Sequence, residues 1–289
     1  MTPLMQWSIA ALGLVALLAA SVTLNALRGR LGWTAVAETP EALAAQLEPG
    51  FTWAVPAGDG PFPAAILLSG CDGPKPNLTR LAAALAEAGW LSVIVDSHAP
   101  RGLDRRQAWR LVCAAQILNG AERASDIAVA LAALRARRDV AADRIALVGL
   151  SHGGWTALDY LALAARGDPP PLLTDWPEAL AAAPLAGVKA AILFYPYCGI
   201  ASMGGADALP TDLRYLFHLV EDDTIVDETA CAALAADLAA AGADVEVDII
   251  SGVTHGFDQR EKSALSTLEF SAEATAQALA RTLALLRAL

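Results

Sequence analysis

The sequence predicts a doubly wound α/β domain, a mostly parallel sheet covered by helices on both faces, with one apolar helix ahead of it. Three observations carry this expectation. Short apolar runs bounded by turn residues recur between residues 51 and 250 and alternate with helical segments, and parallel strands need crossover connections of that kind. The chain has 289 residues, 55% of them hydrophobic, which suits one large domain with ample apolar surface to bury. Residues 7–27 contain no charged side chain and have the length that crosses a bilayer. The expected division is residues 1–30 as a membrane anchor or uncleaved signal and residues 31–289 as the globular domain.

The apolar stretch reads as a transmembrane helix. Leu18-Ala19-Ala20 would suit a signal peptidase, so a cleaved signal is the alternative, although no Lys/Arg leader precedes the run. Arg28 and Arg30 follow the span and would hold the domain on the cytoplasmic side by the positive-inside rule. Residues 38–47 predict a short amphipathic helix and residues 51–55 an early strand. The run 64–69, between Pro63 and Gly70, predicts a buried strand. Asn77 is placed to cap a helix through Ala88 that Gly89 stops, before a strand at 91–95. Helical pattern covers 109–117 and 122–137, and 145–149 is a further buried strand. A helix at 153–165 leads into a proline-rich insert, 168–184, placed to roof a pocket. Strands are expected at 190–194, 215–219 and 245–250, a helix at 228–241, and a closing helix at 267–289.

Charge and cysteine spacing exclude several functions. A net charge of -11, from 20 basic and 31 acidic residues, argues against nucleic acid as a partner, and no Lys/Arg cluster tracks a phosphate backbone. No Walker sequence cradles a nucleotide. Cys71, Cys113, Cys198 and Cys231 lack the short paired spacings of zinc sites. They are compatible with one or two disulfides or with buried thiols. Neither a metal nor a cofactor is expected.

Gly149-Leu150-Ser151-His152-Gly153 matches G-x-S-x-G, with Gly154 next, where a buried strand gives way to a helix. A turn of that kind strains the serine backbone and lifts its hydroxyl above the sheet, and flanking glycines remove colliding side chains. The nucleophile needs a base, and the sequence has four histidines. His98 precedes the motif in a loop, His152 adjoins Ser151, and His218 falls inside an apolar strand as a core residue. His255 remains, just past the strand 245–250, where it emerges at the carboxyl edge of the sheet. An acid is expected after the strand 215–219, where Glu221, Asp222 and Asp223 are adjacent. Asp223 is the first choice and Asp222 the second; the plain alternative for any of them is a solvated loop or helix cap. The order Ser151, Asp223, His255 is that of α/β-hydrolases. For an oxyanion hole, His152 offers the N–H after the nucleophile and Cys71 the N–H of the loop after strand 64–69.

These residues resemble the dienelactone hydrolase family of the α/β-hydrolase superfamily, from about Ala64 to the last helix. Beside the elbow, Val95-Asp96-Ser97-His98-Ala99-Pro100-Arg101-Gly102, Phe194-Tyr195-Pro196-Tyr197-Cys198 and Thr254-His255-Gly256-Phe257 are similar to family blocks. The namesake enzymes use cysteine where this chain has Ser151; relatives with serine are esterase-like. The family's usual His-Gly before the oxyanion loop is Ser69-Gly70 here, and the glycine that often opens the acid loop is Val220. Cysteines resembling Cys71, Cys113 and Cys198 recur in some secreted relatives, so the resemblance is compatible with a disulfide, which would favour the outer side of the membrane. The implied activity is hydrolysis of a small ester or lactone through an acyl-enzyme, without a cofactor. The rival readings are acyl transfer to another acceptor and a membrane-tethered, non-catalytic binding protein.

Overall fold

A computed structural model describes residues 3–33, 36–261 and 266–289. Its elements are α1 (Pro3–Ala26), α2 (Pro40–Leu47), β1 (Phe51–Ala54), β2 (Phe62–Leu68), α3 (Pro76–Glu87), β3 (Leu91–Val95), α4 (Arg105–Gln107), α5 (Gly120–Ala136), β4 (Val140–Leu150), α6 (His152–Arg166), β5 (Val188–Phe194), β6 (Arg214–Val220), α7 (Glu228–Ala240), β7 (Asp244–Ile250) and α8 (Ala272–Arg287). The seven strands form one sheet in the order β1-β3-β2-β4-β5-β6-β7. Only β1 runs antiparallel, against β3. Helices α2, α5, α6 and α7 bury Leu43, Ile127, Leu161 and Leu234 against one sheet face. Helices α3 and α8 bury Leu85 and Leu285 against the other. The doubly wound reading therefore holds.

The order of strands positions the site. From β2 the chain steps outward to β3 and then returns across β2 to β4, so the loops leaving the carboxyl ends of β2 and β4 diverge. Such a reversal opens a crevice at that edge, which is where ligands bind in open α/β sheets.

Several local expectations are corrected. Asn77 does not cap α3: Lys75 holds the cap position, and the Asn77 amide, inside the first turn, donates to Oδ2 of Asp258 at 2.8 Å. The helix expected at 109–117 is a short π-turn, Ala108–Val112, after which Ala115 and Leu118 take positive φ. A disulfide from Cys113 to Cys71 holds the chain there. The closing helix starts at Ala272, capped by the Ser271 hydroxyl, rather than at residue 267. The insert at 168–184 lies along α5 and α6, and its Leu172 packs on the cluster of Ala108, Val112 and Leu118 that Cys71 also joins. Its Leu172 N–H donates to Ser125, Pro184 accepts from Tyr160, and Ala179 accepts from Arg135.

Candidate active site

Ser151 lies between β4 and α6 with φ 53° and ψ -115°, a region that L-residues avoid and that a strand-to-helix elbow enforces. Its N–H donates to the Phe194 carbonyl on β5 at 2.8 Å, which locks the turn to the sheet. The flanking glycines are required by contact. A Cβ on Gly149 would sit 2.3 Å from the Gly153 carbonyl oxygen, and one on Gly153 would sit 2.4 Å from that of Leu68.

The three residues chosen from the sequence converge from three strand ends. Nε2 of His255 lies 2.9 Å from Oγ of Ser151, and Nδ1 lies 2.7 Å from Oδ2 of Asp223. With Nδ1–H donated to the carboxylate, Nε2 is left to accept a hydrogen bond from the serine hydroxyl. The Asp223 side chain is fully buried, and its second oxygen accepts the N–H groups of Ile225 at 2.8 Å and Val226 at 3.3 Å. Asp222 instead occupies the left-handed region, with φ 55°, and is exposed with Glu221. The other three histidines lie outside this hydrogen-bonded set. His218 is a core residue, bonded to Asp248 at 3.0 Å and Thr282 at 3.2 Å. His152 is buried beside the Trp155 ring. His98 is buried under the loop after β2, and burial followed by the nearby Arg123 charge pushes it down to about 3, so it is neutral.

The loop after β2 lies against Ser151: a Cβ on Gly70 would be 3.8 Å from Cβ of Ser151. Cys71 follows in that loop. His152 opens α6, so its N–H has no acceptor within the helix and lies at the positive end of the helix dipole. Arg123, which sequence reasoning did not single out, joins the two segments. Its fully buried guanidinium donates to the carbonyl and hydroxyl of Ser69, at 2.8 and 3.0 Å, and lies 3.3 Å from Nδ1 of His152. Burial lowers its pKa to about 10, so it remains a cation at neutral pH. Its only sequence signal is that it stands among the charged residues Glu122 and Asp126 in the first half of an otherwise alanine-rich helix.

Tyr195 is the second residue the sequence left unassigned. Its backbone has φ 37°, its ring packs 4.6 Å from the His255 imidazole, and its hydroxyl donates to Asp258 at 2.5 Å. The imidazole is thus held by a ring on its flank and a carboxylate at its end. Two surface cavities lie elsewhere, one along α1 by Leu24 and Trp33 and one between α3 and α8 by Leu81 and Phe270; Ser151 lines neither. Among the described residues no cluster of His, Cys, Asp and Glu is arranged to hold a metal.

Known proteins place this geometry in context. The model of the dienelactone hydrolase family matches residues 178–289, a stretch that contains Asp223 and His255 but not Ser151. No curated protein sequence matches the chain. Among solved structures, a protein from Klebsiella pneumoniae described as a candidate dienelactone hydrolase is similar at TM-score 0.63 and 19% identity, over 82% of this chain and 92% of that one. A dienelactone hydrolase-like promiscuous phosphotriesterase from metagenomic libraries aligns at TM-score 0.62 and 19% identity, over 80% and 88%. Esterase 2 of Thermogutta terrifontis, phosphoramylated by tabun, aligns at TM-score 0.58 and 17% identity, over 82% and 88%. The chain has the α/β-hydrolase fold, and its C-terminal part carries the sequence pattern of the dienelactone hydrolase family.

Proposed function

We propose that the protein is a serine hydrolase that cleaves an ester or lactone through an acyl-enzyme. The observation that carries this reading is the continuous chain of hydrogen bonds from Asp223 through His255 to Ser151. His255 takes the serine proton as Oγ attacks the carbonyl carbon, and Asp223 stabilises the imidazolium. The N–H groups of Cys71 and His152 hold the oxyanion. The carbon–oxygen bond of the ester then breaks, and the leaving alkoxide takes the proton from His255. Water repeats the sequence in reverse, freeing the acid and restoring Ser151. No step needs a cofactor. Similar structures described as esterases, and as a phosphotriesterase, favour carboxylic esters and admit phosphyl groups as trapping agents.

Residues 1–30 serve in this reading as an N-terminal anchor and residues 31–289 as the catalytic domain. Residues 5–26 form a helix apolar and long enough to span a membrane, a property that a signal sequence shares. The Cys71–Cys113 and Cys198–Cys231 disulfides favour the outer side, because cytoplasmic thiols are kept reduced. Arg28, which would argue for the inner side, is consumed by an ion pair with Glu122 inside the folded domain.

The test is hydrolysis of short p-nitrophenyl esters by the wild type and Ser151→Ala. Turnover that falls by roughly 10³-fold or more in the variant supports the reading. Equal turnover in both would overturn it.

A further inference from the structure

We propose that the sheet edge carrying Ser151 faces a lipid bilayer, and that the substrate is an ester drawn from that bilayer, with a long apolar acyl or alcohol part. The inference rests on the hydrolase and anchor readings above and names their substrate class.

The first observation is how α1 joins the domain. Residues 5–24 are exposed throughout, so the helix projects away from the globule, and its apolar surface is satisfied only in lipid. Its last turn is not a loose tether. Asn25 donates to the carbonyl and side chain of Gln116 at 2.9 and 3.0 Å, and Gln116 donates back to the Val22 carbonyl at 3.2 Å. Arg28 pairs with Glu122 and donates to the Ala115 carbonyl at 2.8 Å. Gly29 packs so close to the start of α5 that a Cβ would lie 2.9 Å from Cβ of Ala121. Arg30 donates to the Ile200 carbonyl at 3.0 Å.

Every one of those partners belongs to the carboxyl edge of the sheet. Residues 96–119 leave the end of β3 and deliver α5 to that edge, where a Cβ on Gly120 would meet Trp155, in the first turn after Ser151. Ile200 lies in the segment that leaves β5. A helix fixed to that edge and pointing away from it sets the edge against whatever the helix enters.

The second observation is what that edge exposes. Trp109 is 67% exposed, Ile200 68% and Trp33 56%, with Leu111 beside Trp109 also exposed. Arg105, Arg106 and Arg110 are exposed around Trp109 and form no ion pair among the described residues. In a chain of net charge -11, these three are too few to follow a nucleic acid. Arginine beside tryptophan and leucine on a short helical turn is instead what seats a protein in anionic headgroups. Cys113, next in this segment, is bonded to Cys71 of the oxyanion loop, so the lipid-facing turn and the reaction centre are covalently joined.

The full-length protein is tested in vesicles of phosphatidylethanolamine and phosphatidylglycerol. All four cysteines are in disulfides, so a nitroxide can be attached singly at Trp109→Cys, at Ile200→Cys, or at Asp143→Cys on the opposite edge. The labels at 109 and 200 are expected to collide more with oxygen than with a nickel chelate, and the label at 143 to behave as in water. Labels at 109 and 200 as wet as that at 143, or a mature chain lacking α1, would overturn the proposal. In the second arm, Trp109→Ser/Leu111→Ser is expected to hydrolyse a long-chain p-nitrophenyl ester dissolved in the vesicles roughly tenfold more slowly, with hydrolysis of a short soluble ester unchanged. Equal loss on both esters, or on neither, would overturn the substrate class. Immersed labels on a chain that cleaves neither ester would support the orientation and remove the hydrolase reading. Wet labels on a chain that cleaves the short ester would do the reverse.

Discussion

At the scale of single residues, the acid loop shows how orientation divides identical side chains. Asp222 and Asp223 are adjacent, yet the left-handed backbone at Asp222 turns the next residue inward, and only Asp223 reaches His255. Asp223→Asn is therefore expected to lower kcat by about 10³- to 10⁴-fold, by favouring the wrong imidazole tautomer. Asp222→Asn should stay within a few-fold of the wild type in the same p-nitrophenyl ester assay. A large loss in both would mean that the loop, and not one carboxylate, sets the rate. That Ser151, His255 and Asp223 would meet was legible in the sequence because each stands just past an apolar strand, where an α/β sheet presents its ligand-binding edge. Arg123 and Tyr195 were not, because nothing in local pattern tells a buried charge or ring that its partners are Ser69 and His255, 54 and 60 positions away.

At the scale of elements, α6 carries both the strained turn and a buried acid. Asp159, fully buried two turns after Ser151, is pushed up to about 7 by burial, partly opposed by the Met203 N–H and the Ser202 hydroxyl. An unfolded aspartate releases its proton near pH 3.9, so between roughly pH 4 and 7 the folded chain holds a proton that the unfolded chain has lost. This contribution is complete at acid pH and is lost as pH rises, by at most about 1.4 kcal/mol per pH unit. Asp159→Asn, permanently neutral, should gain on the order of 2 kcal/mol relative to wild type between pH 5 and 8 in urea titrations. A pH-independent difference would contradict this. The disulfides act on the loops. Each closes a loop of tens of residues, with separations of 42 and 33, and each is worth about 2–4 kcal/mol. Reduction should lower Tm, and the Cys71→Ser/Cys113→Ser variant should also lose short-ester turnover, since Cys71 sits in the loop proposed to hold the oxyanion. Unchanged kcat would show that the loop is held without the bond. Strand cores were read to within a residue or two from their apolar runs. The polar start of β4 was not, since Val140 joins the sheet only through its partner Phe62. The break in the 109–117 helix was also hidden, because a bond to a cysteine 42 positions away imposes it.

At the scale of the whole molecule, the function proposed depends on one assembly: the ends of β4, β6 and β7 bring Ser151, Asp223 and His255 to a common point beside the loop after β2. The alternation of strands and helices made the doubly wound class legible, and the apolar N-terminal run made legible a helix long and apolar enough to span a membrane. The direction in which α1 leaves the domain was not, because it is decided by Arg28 finding Glu122 across 94 positions. The most direct measurement is covalent. Intact full-length protein is treated with a fluorophosphonate and the adduct is located by peptide mass analysis. A single adduct on Ser151, formed in the wild type, slowed by roughly 10²-fold or more in His255→Ala and absent in Ser151→Ala, is the predicted result. An adduct on another residue, or equal labelling of Ser151→Ala, would contradict the account.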